Sequence, residues 1–182
     1  MAVPLTKNER AYPSILLLGF VTISALAADS VQDNIFKCGV AVAPVTNWIY
    51  YDTIYTERYM GLPTADDNLD GYRISDVTSQ ARRLKNKKLL LVHGTAGMQA
   101  LTHSLQKNKP TKFSCLFPDD NVHYQQTMML TRALEEADVL FQQLSYPDEN
   151  HGLVGLRPHF YHSLSNFILN DCFGRNEVFK KK

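Results

Sequence analysis

"KKLLLVHGTAGMQALTHSLQKNKPTKFSCLFPDDNVHYQQ", Lys87 to Gln126, is the stretch on which the fold turns. It opens as a buried strand, "KKLLLVHG", whose apolar run stops at Gly94. It closes on the start of an amphipathic helix over Asn121 to Asp138, with Val122, Met129, Ala133, Leu134 and Ala137 as its apolar positions. A strand followed by a helix is the repeating unit of a parallel α/β sheet, and the turn between the two is where such sheets place their chemistry. Here that turn is interrupted by a polar run, Gly97 to Pro118.

The flanking sequence repeats the alternation. Upstream, "IFKCGVAVAPV" (Ile35 to Val45) is a short Val- and Ala-rich run that stops at Pro44, as expected of a strand buried on both faces. In the following "NWIYYDTIYTERYMGL", Trp48, Tyr51, Tyr55 and Tyr59 recur at three- and four-residue steps, which puts the four rings on one helix face. "PTADDNLDGY" reads as loop with a short helical turn, and Ser75 to Asn86 as a helix capped by Ser75. Downstream, "VLFQQLSYP" alternates as a strand and "RPHFYHSLSNFILNDCF" reads as a terminal helix with Pro158 in its first turn. The pattern predicts an α/β domain with about three mainly parallel strands and flanking helices. So few strands point to the back half of a larger domain. "SILLL" (Ser14 to Leu18) is available to pair with the otherwise exposed edge of the Ile35–Val45 strand.

Composition narrows the function classes. The chain has 182 residues, 45% hydrophobic and 20% charged, with a formal charge of +1. That is ordinary for one globular domain and supplies no field to steer nucleic acid, so no nucleic-acid partner is expected. The only three consecutive basic residues are Lys180-Lys181-Lys182. Cys38, Cys115 and Cys172 match no zinc spacing, and neither a metal nor a cofactor is expected. Residues 1–30 carry Lys7 and Arg10 before an apolar run that ends on "ALA", the order of a secretory leader. A buried helix reads the same way.

The strand ends carry "HGTA" and "YPDENHGL". A histidine followed by glycine, His151-Gly152, between the last strand and the last helix is where the α/β-hydrolase order of nucleophile, acid and histidine puts its base. The acid then belongs after the preceding strand, near "DDNVH". Each alone has a plainer explanation: a solvated loop histidine, or a helix-capping aspartate. Their order after successive strands favours the joint reading.

The stretches "FKCGVAVAPVTNWIYYDTIYTERYMGLPTADDNLDGY", "LLLVHGTA" with "DDNVHYQQ", and "YPDENHGL" resemble the C-terminal catalytic region of the dipeptidyl peptidase IV and fibroblast activation protein family of prolyl oligopeptidase-type serine peptidases. The similarity runs from about Gly19 to Phe173 apart from the interruption. It implies the C-terminal portion of an α/β-hydrolase fold that removes dipeptides from peptide N-termini with Pro or Ala in second position. By the same resemblance Asp119 is the triad acid and His151 the base. Val45, Trp48, Tyr51, Tyr55 and Val122 form the apolar proline pocket, and Asn121 is a polar substrate contact. Cys38 and Cys172 match a family disulfide, which favours an extracellular or plasma-membrane location. The terminal helix matches the surface through which relatives dimerise.

The chain also departs from the family pattern. "GFVTISALAADS" resembles the helix that follows the nucleophile elbow, with Gly19 as the elbow's last glycine. Counting back places the nucleophile at Leu16, which has no nucleophilic atom, and removal of a triad serine costs on the order of a million-fold in turnover. On this reading residues 1–30 are either a leader or a remnant of that helix, and 31–182 are a partial hydrolase domain. Deleting 97–118 restores "HGTADDNVHYQQ", so that run is either a loop insertion or a translated, retained intron. The expectation is a fragment of a dipeptidyl peptidase without covalent catalysis. The alternative is a non-catalytic relative that binds or dimerises.

Overall fold

The computed structural model describes residues 14–15, 19–29, 35–96 and 122–174. Four strands form one sheet in sequential order: β1 (Ser14–Ile15), β2 (Cys38–Val42), β3 (Lys88–Gly94) and β4 (Gln142–Tyr146). Every pairing is parallel. β2 and β3 are in register from Cys38 opposite Lys88 to Val42 opposite Val92, and β3 and β4 from Leu90 opposite Gln142 to Gly94 opposite Tyr146. β1 is the first two residues of "SILLL", with Ser14 opposite Gly39 and Ile15 opposite Val40.

The middle strands carry apolar runs, residues 40–42 and 89–92, because both faces of the sheet are covered. On one face Leu89 and Leu91 pack with Ile23 and Leu26 of α1 (Gly19–Ala28), Leu84 of the 3-10 helix Val77–Leu84, and Leu130 and Leu134 of α4 (Tyr124–Glu136). On the other, Val40, Leu90 and Val92 pack with Tyr146, Leu153 and Phe167, and with Phe160 and Leu164 of α5 (Arg157–Asn166). A π-helical turn, Phe167–Cys172, continues α5 and brings Cys172 to Cys38 at the start of β2, where the two form a disulfide with Cα atoms 5.8 Å apart.

Three local expectations shift. The aromatic stretch is not one helix: a 3-10 turn, Trp48–Tyr50, precedes α2 (Thr53–Met60), because the Asp52 carboxylate accepts from Ile54 N and Tyr55 N and starts a new helix. The segment after α3 (Leu69–Ile74) is capped by Asp76 rather than Ser75. The Asp76 carboxylate accepts from Thr78 N, while Ser75 Oγ donates back to Gly71 O and finishes α3. On α4 the buried face is Gln126, Thr127, Leu130, Thr131 and Leu134, one position round from the stripe marked by Met129 and Ala133. Hydrogen-bonded polar side chains occupy that face, and hydropathy periodicity cannot register them. Among the described residues no helix is long and apolar enough to cross a membrane.

Candidate active site

The carboxyl ends of β2, β3 and β4 deliver three turns to one place. After β2 the chain leaves the sheet through Ala43, whose φ is 42° while its amide still donates to Val92 O at 2.8 Å. Pro44 then lies against the first residue of α1. A Cβ on Gly19 would stand 2.6 Å from Pro44 Cβ, so only glycine lets the loop sit this low. Val45 follows, and Asn47 opens the 3-10 turn by accepting from Ile49 N at 2.9 Å. With Asp52 capping α2, the rings form a ladder despite the break in the helix. Trp48 is 5.7 Å from Tyr51 and 6.4 Å from Tyr55, and Tyr55 is 4.8 Å from Tyr59, between centroids. Phe20 of α1 closes the far side of Trp48 at 5.1 Å.

After β3 comes Gly94, where a side chain would collide with the carbonyl oxygens of Glu149 and Asn150. The bare backbone lets Thr95 N donate to Tyr146 O at 2.9 Å and Ala96 N to Glu149 O at 3.0 Å, so β3 grips the turn that follows β4. Within that turn Asn150 Oδ1 accepts from Gly152 N, Glu149 Oε2 accepts from Gly155 N, and Leu153 enters the core with φ 47°. His151 is held between these points. Its Nδ1 is buried and has no hydrogen-bond partner among the described residues.

One cavity of about 210 Å³ results. It is lined by Gly19, Phe20, Val42, Ala43, Val45, Trp48, Tyr51, Tyr55, Val122 and His151. The expected pocket residues Val45, Trp48, Tyr51, Tyr55 and Val122 and the expected base His151 therefore share one space. Asp119, Asn121 and Leu16 lie outside the described residues, as do residues 97–118. The cavity is small beside the roughly 300–1,000 Å³ of drug-sized sites, and among the described residues no acidic or basic side chain other than the imidazole lines it. Such a wall favours a compact, neutral, apolar group. Phe20, Val42 and Ala43 were not expected in it. Phe20 had a signal in the sequence, since it follows the glycine assigned to the elbow, but nothing in a strand's apolar run says which residue will face a cavity.

Parallel strands in sequential order, helices on both faces, and a histidine turn after the last strand define the C-terminal portion of an α/β-hydrolase fold. The model of the prolyl oligopeptidase family matches residues 19–106 and 96–174. The chain is 46% identical to venom dipeptidyl peptidase 4 of Vespa velutina over 155 residues, 85% of this chain and 17% of that one. It is 45% identical to dipeptidyl peptidase 4 of Bos taurus over 157 residues (85% and 17%) and 42% identical to prolyl endopeptidase FAP of Homo sapiens over 160 (87% and 18%). The crystal structure of Porphyromonas gingivalis dipeptidyl peptidase 4 superposes with a TM-score of 0.65 at 34% identity, over 84% of this chain and 18% of that one. The chain belongs to the prolyl oligopeptidase family, among its members like dipeptidyl peptidase 4 and FAP. It spans about a sixth of the length of these relatives.

Proposed function

We propose that this chain is part of the catalytic domain of a dipeptidyl peptidase 4-like serine peptidase, and that it supplies the pocket for a proline or alanine second from a peptide's N-terminus. The observation that carries the reading is the shared cavity of Val45, Trp48, Tyr51, Tyr55, Val122 and His151. Asp119 is the acid in this scheme and Asn121 a substrate contact. The acid would accept from the His151 Nδ1–H, the ring nitrogen that is buried without a partner among the described residues. Orienting the imidazole in that way frees its other nitrogen to act as base.

The nucleophile position falls on Leu16, so the chain holds a peptide without forming an acyl bond to it. Incubation with a chromogenic Gly-Pro substrate tests this: no release of chromophore is expected, and turnover blocked by a serine-directed phosphonate would refute the assignment of Leu16. The burial of Ile23, Leu26 and Ala27 in the main core supports α1 as a piece of the domain rather than a leader. Residues 97–118 are an insertion or a retained intron, and sequencing the transcript across Ala96 to Asp119 separates the two. The Cys38–Cys172 disulfide supports an oxidising, extracellular location.

A second reading, a binding or dimerising module, has its own support. Among the described strands β4 lies at an edge, and Tyr161 and Leu169 of the terminal helical segment are 56% and 46% exposed. On that reading the chain elutes as a homodimer and Tyr161→Glu makes it monomeric.

A further inference from the structure

Val45 and Trp48 come from the loop after β2, and Val122 comes from the turn before α4. No covalent feature ties these walls together. We propose that Gln126, on the first turn of α4, is the positioning residue that sets the shape of the pocket by holding the β2 loop to α4. The inference rests on the pocket assignment above, because it names the residue that builds that pocket.

The Gln126 side chain is fully buried. Its Oε1 accepts from Thr46 N at 2.8 Å, Asn47 N at 2.9 Å and Thr46 Oγ1 at 2.9 Å, and its Nε2 donates to Asn47 O at 3.0 Å. Two main-chain N–H groups converge on one atom, which fixes the orientation of the amide. The Thr46 hydroxyl is also 2.8 Å from the main-chain oxygen of Gln126. One side chain thus satisfies three main-chain groups of the two residues that separate Val45 from Trp48. Asn47 O also accepts from Tyr50 N at 3.1 Å, but the Thr46 and Asn47 amides have no sheet or helix partner among the described residues, and burying such groups unpaired is costly.

The helix end of the clasp is itself fixed. Val122 O can only accept, so His93 Nε2, 2.9 Å away, carries the proton; His93 Nδ1 then accepts from the Thr127 hydroxyl at 2.6 Å. His93 is fully buried as the next-to-last residue of β3. The path from β3 through His93, Val122 and Thr127 to Gln126, and on to Thr46 and Asn47, is continuous. Asn47 carries it outward, with Nδ2 donating to Asp76 Oδ2 at 3.0 Å. Val45, Val122 and Trp48 therefore keep their separation only while the Gln126 amide is in place.

The experiment uses the full 182-residue chain and Trp48, its only tryptophan. Three variants are compared: Gln126→Met, which keeps the volume without the hydrogen bonds; Gln126→Glu, which keeps the acceptor; and Leu134→Ala, a core truncation on the far end of the same helix. Each is measured for unfolding midpoint, for Trp48 emission without ligand, and for binding of Gly-Pro amide. The expected result is a red shift of Trp48 emission and at least tenfold weaker binding for Gln126→Met. Gln126→Glu should recover part of both, and Leu134→Ala should lose stability while leaving emission and binding within about twofold of the parent. Equal changes in Gln126→Met and Leu134→Ala, or unchanged emission in Gln126→Met, would overturn the proposal. If Gln126→Met does not fold, Thr46→Val, which removes one donor, takes its place with a smaller shift expected in the same direction. Emission needs no ligand, so a parent chain that ignores Gly-Pro amide refutes the pocket assignment while the clasp is still decided.

Discussion

The two ends of the sheet are built from different forces. At the amino ends of the strands, the disulfide joins Cys38 to Cys172 and an ion pair is buried. Asp29 accepts from Lys87 Nζ at 2.6 Å and from Ile35 N and Phe36 N, and Lys87 also donates to Phe36 O. At the carboxyl ends the buried contacts among the described residues are made by an amide, an imidazole and hydroxyls, together with the left-handed residues Ala43 and Leu153. A covalent bond and a desolvated ion pair resist unfolding but tolerate little substitution. Such hydrogen bonds fix geometry beside a pocket. We therefore expect substitutions at the amino end to act mainly on stability and those at the carboxyl end mainly on the shape of the pocket.

The comparison breaks if changes at the amino end alter the pocket, or if changes at the carboxyl end dominate stability. The largest effect is expected from Cys38→Ser with Cys172→Ser. Closing a loop of 134 residues corresponds to about 5 kcal/mol in the chain-entropy picture, read from chemical denaturation. Lys87→Met comes next at about 3–5 kcal/mol, because it strands a buried carboxylate, and Trp48 emission should not change.

The same pair gives the amino end its pH dependence. Burial acts to raise the Asp29 carboxyl, but the Lys87 ammonium and the amides of Phe36 and Ile35 outweigh it and hold the group below its ordinary 3.8. A depressed folded pKa contributes stability that is fully present above the unfolded value and is lost as pH falls from 3.8 through the folded value. Asp29→Asn should flatten that acid limb in unfolding experiments run at successive pH values.

Gly94→Ala tests the carboxyl end. Pushing Glu149 and Asn150 away should cost about 1–3 kcal/mol, and unlike Lys87→Met it should weaken Gly-Pro amide binding by displacing the His151 turn. The smallest effect belongs to Arg132→Ala. Its exposed pair with Glu136, 2.8 Å apart and four residues along α4, contributes about 0.3–0.5 kcal/mol, so neither stability nor emission should move measurably.

The sequence made part of each end legible and hid the rest. "FKCGVAVAPV" and "KKLLLVHG" announced their strands because a sheet covered on both faces needs unbroken apolar runs, and the aromatic steps located one wall of the pocket. Family resemblance marked His151 and the cysteine pair, which spacing alone left open. Hydropathy could not show that Gln126, Thr127 and Thr46 are buried, since a polar residue enters a core when a partner satisfies it, and here the partners are distant in sequence: Thr46 and Gln126 are 80 residues apart. Asp29 and Lys87 were invisible for the same reason, at 58 residues' separation. The helix break at Asp52 was missed because ring spacing survives it: two short helical pieces in series aim the rings much as one helix would.

The central claim is that the carboxyl end of this sheet forms a pocket selective for a small apolar second residue. Trp48 lies in its wall, so its emission reports occupancy directly. The most direct measurement is a titration of the whole chain with Gly-Pro amide beside Gly-Glu amide. The account predicts a saturable change in Trp48 emission with the proline peptide and none with the acidic one at the same concentrations. Equal responses to both peptides, or none to either, would contradict it.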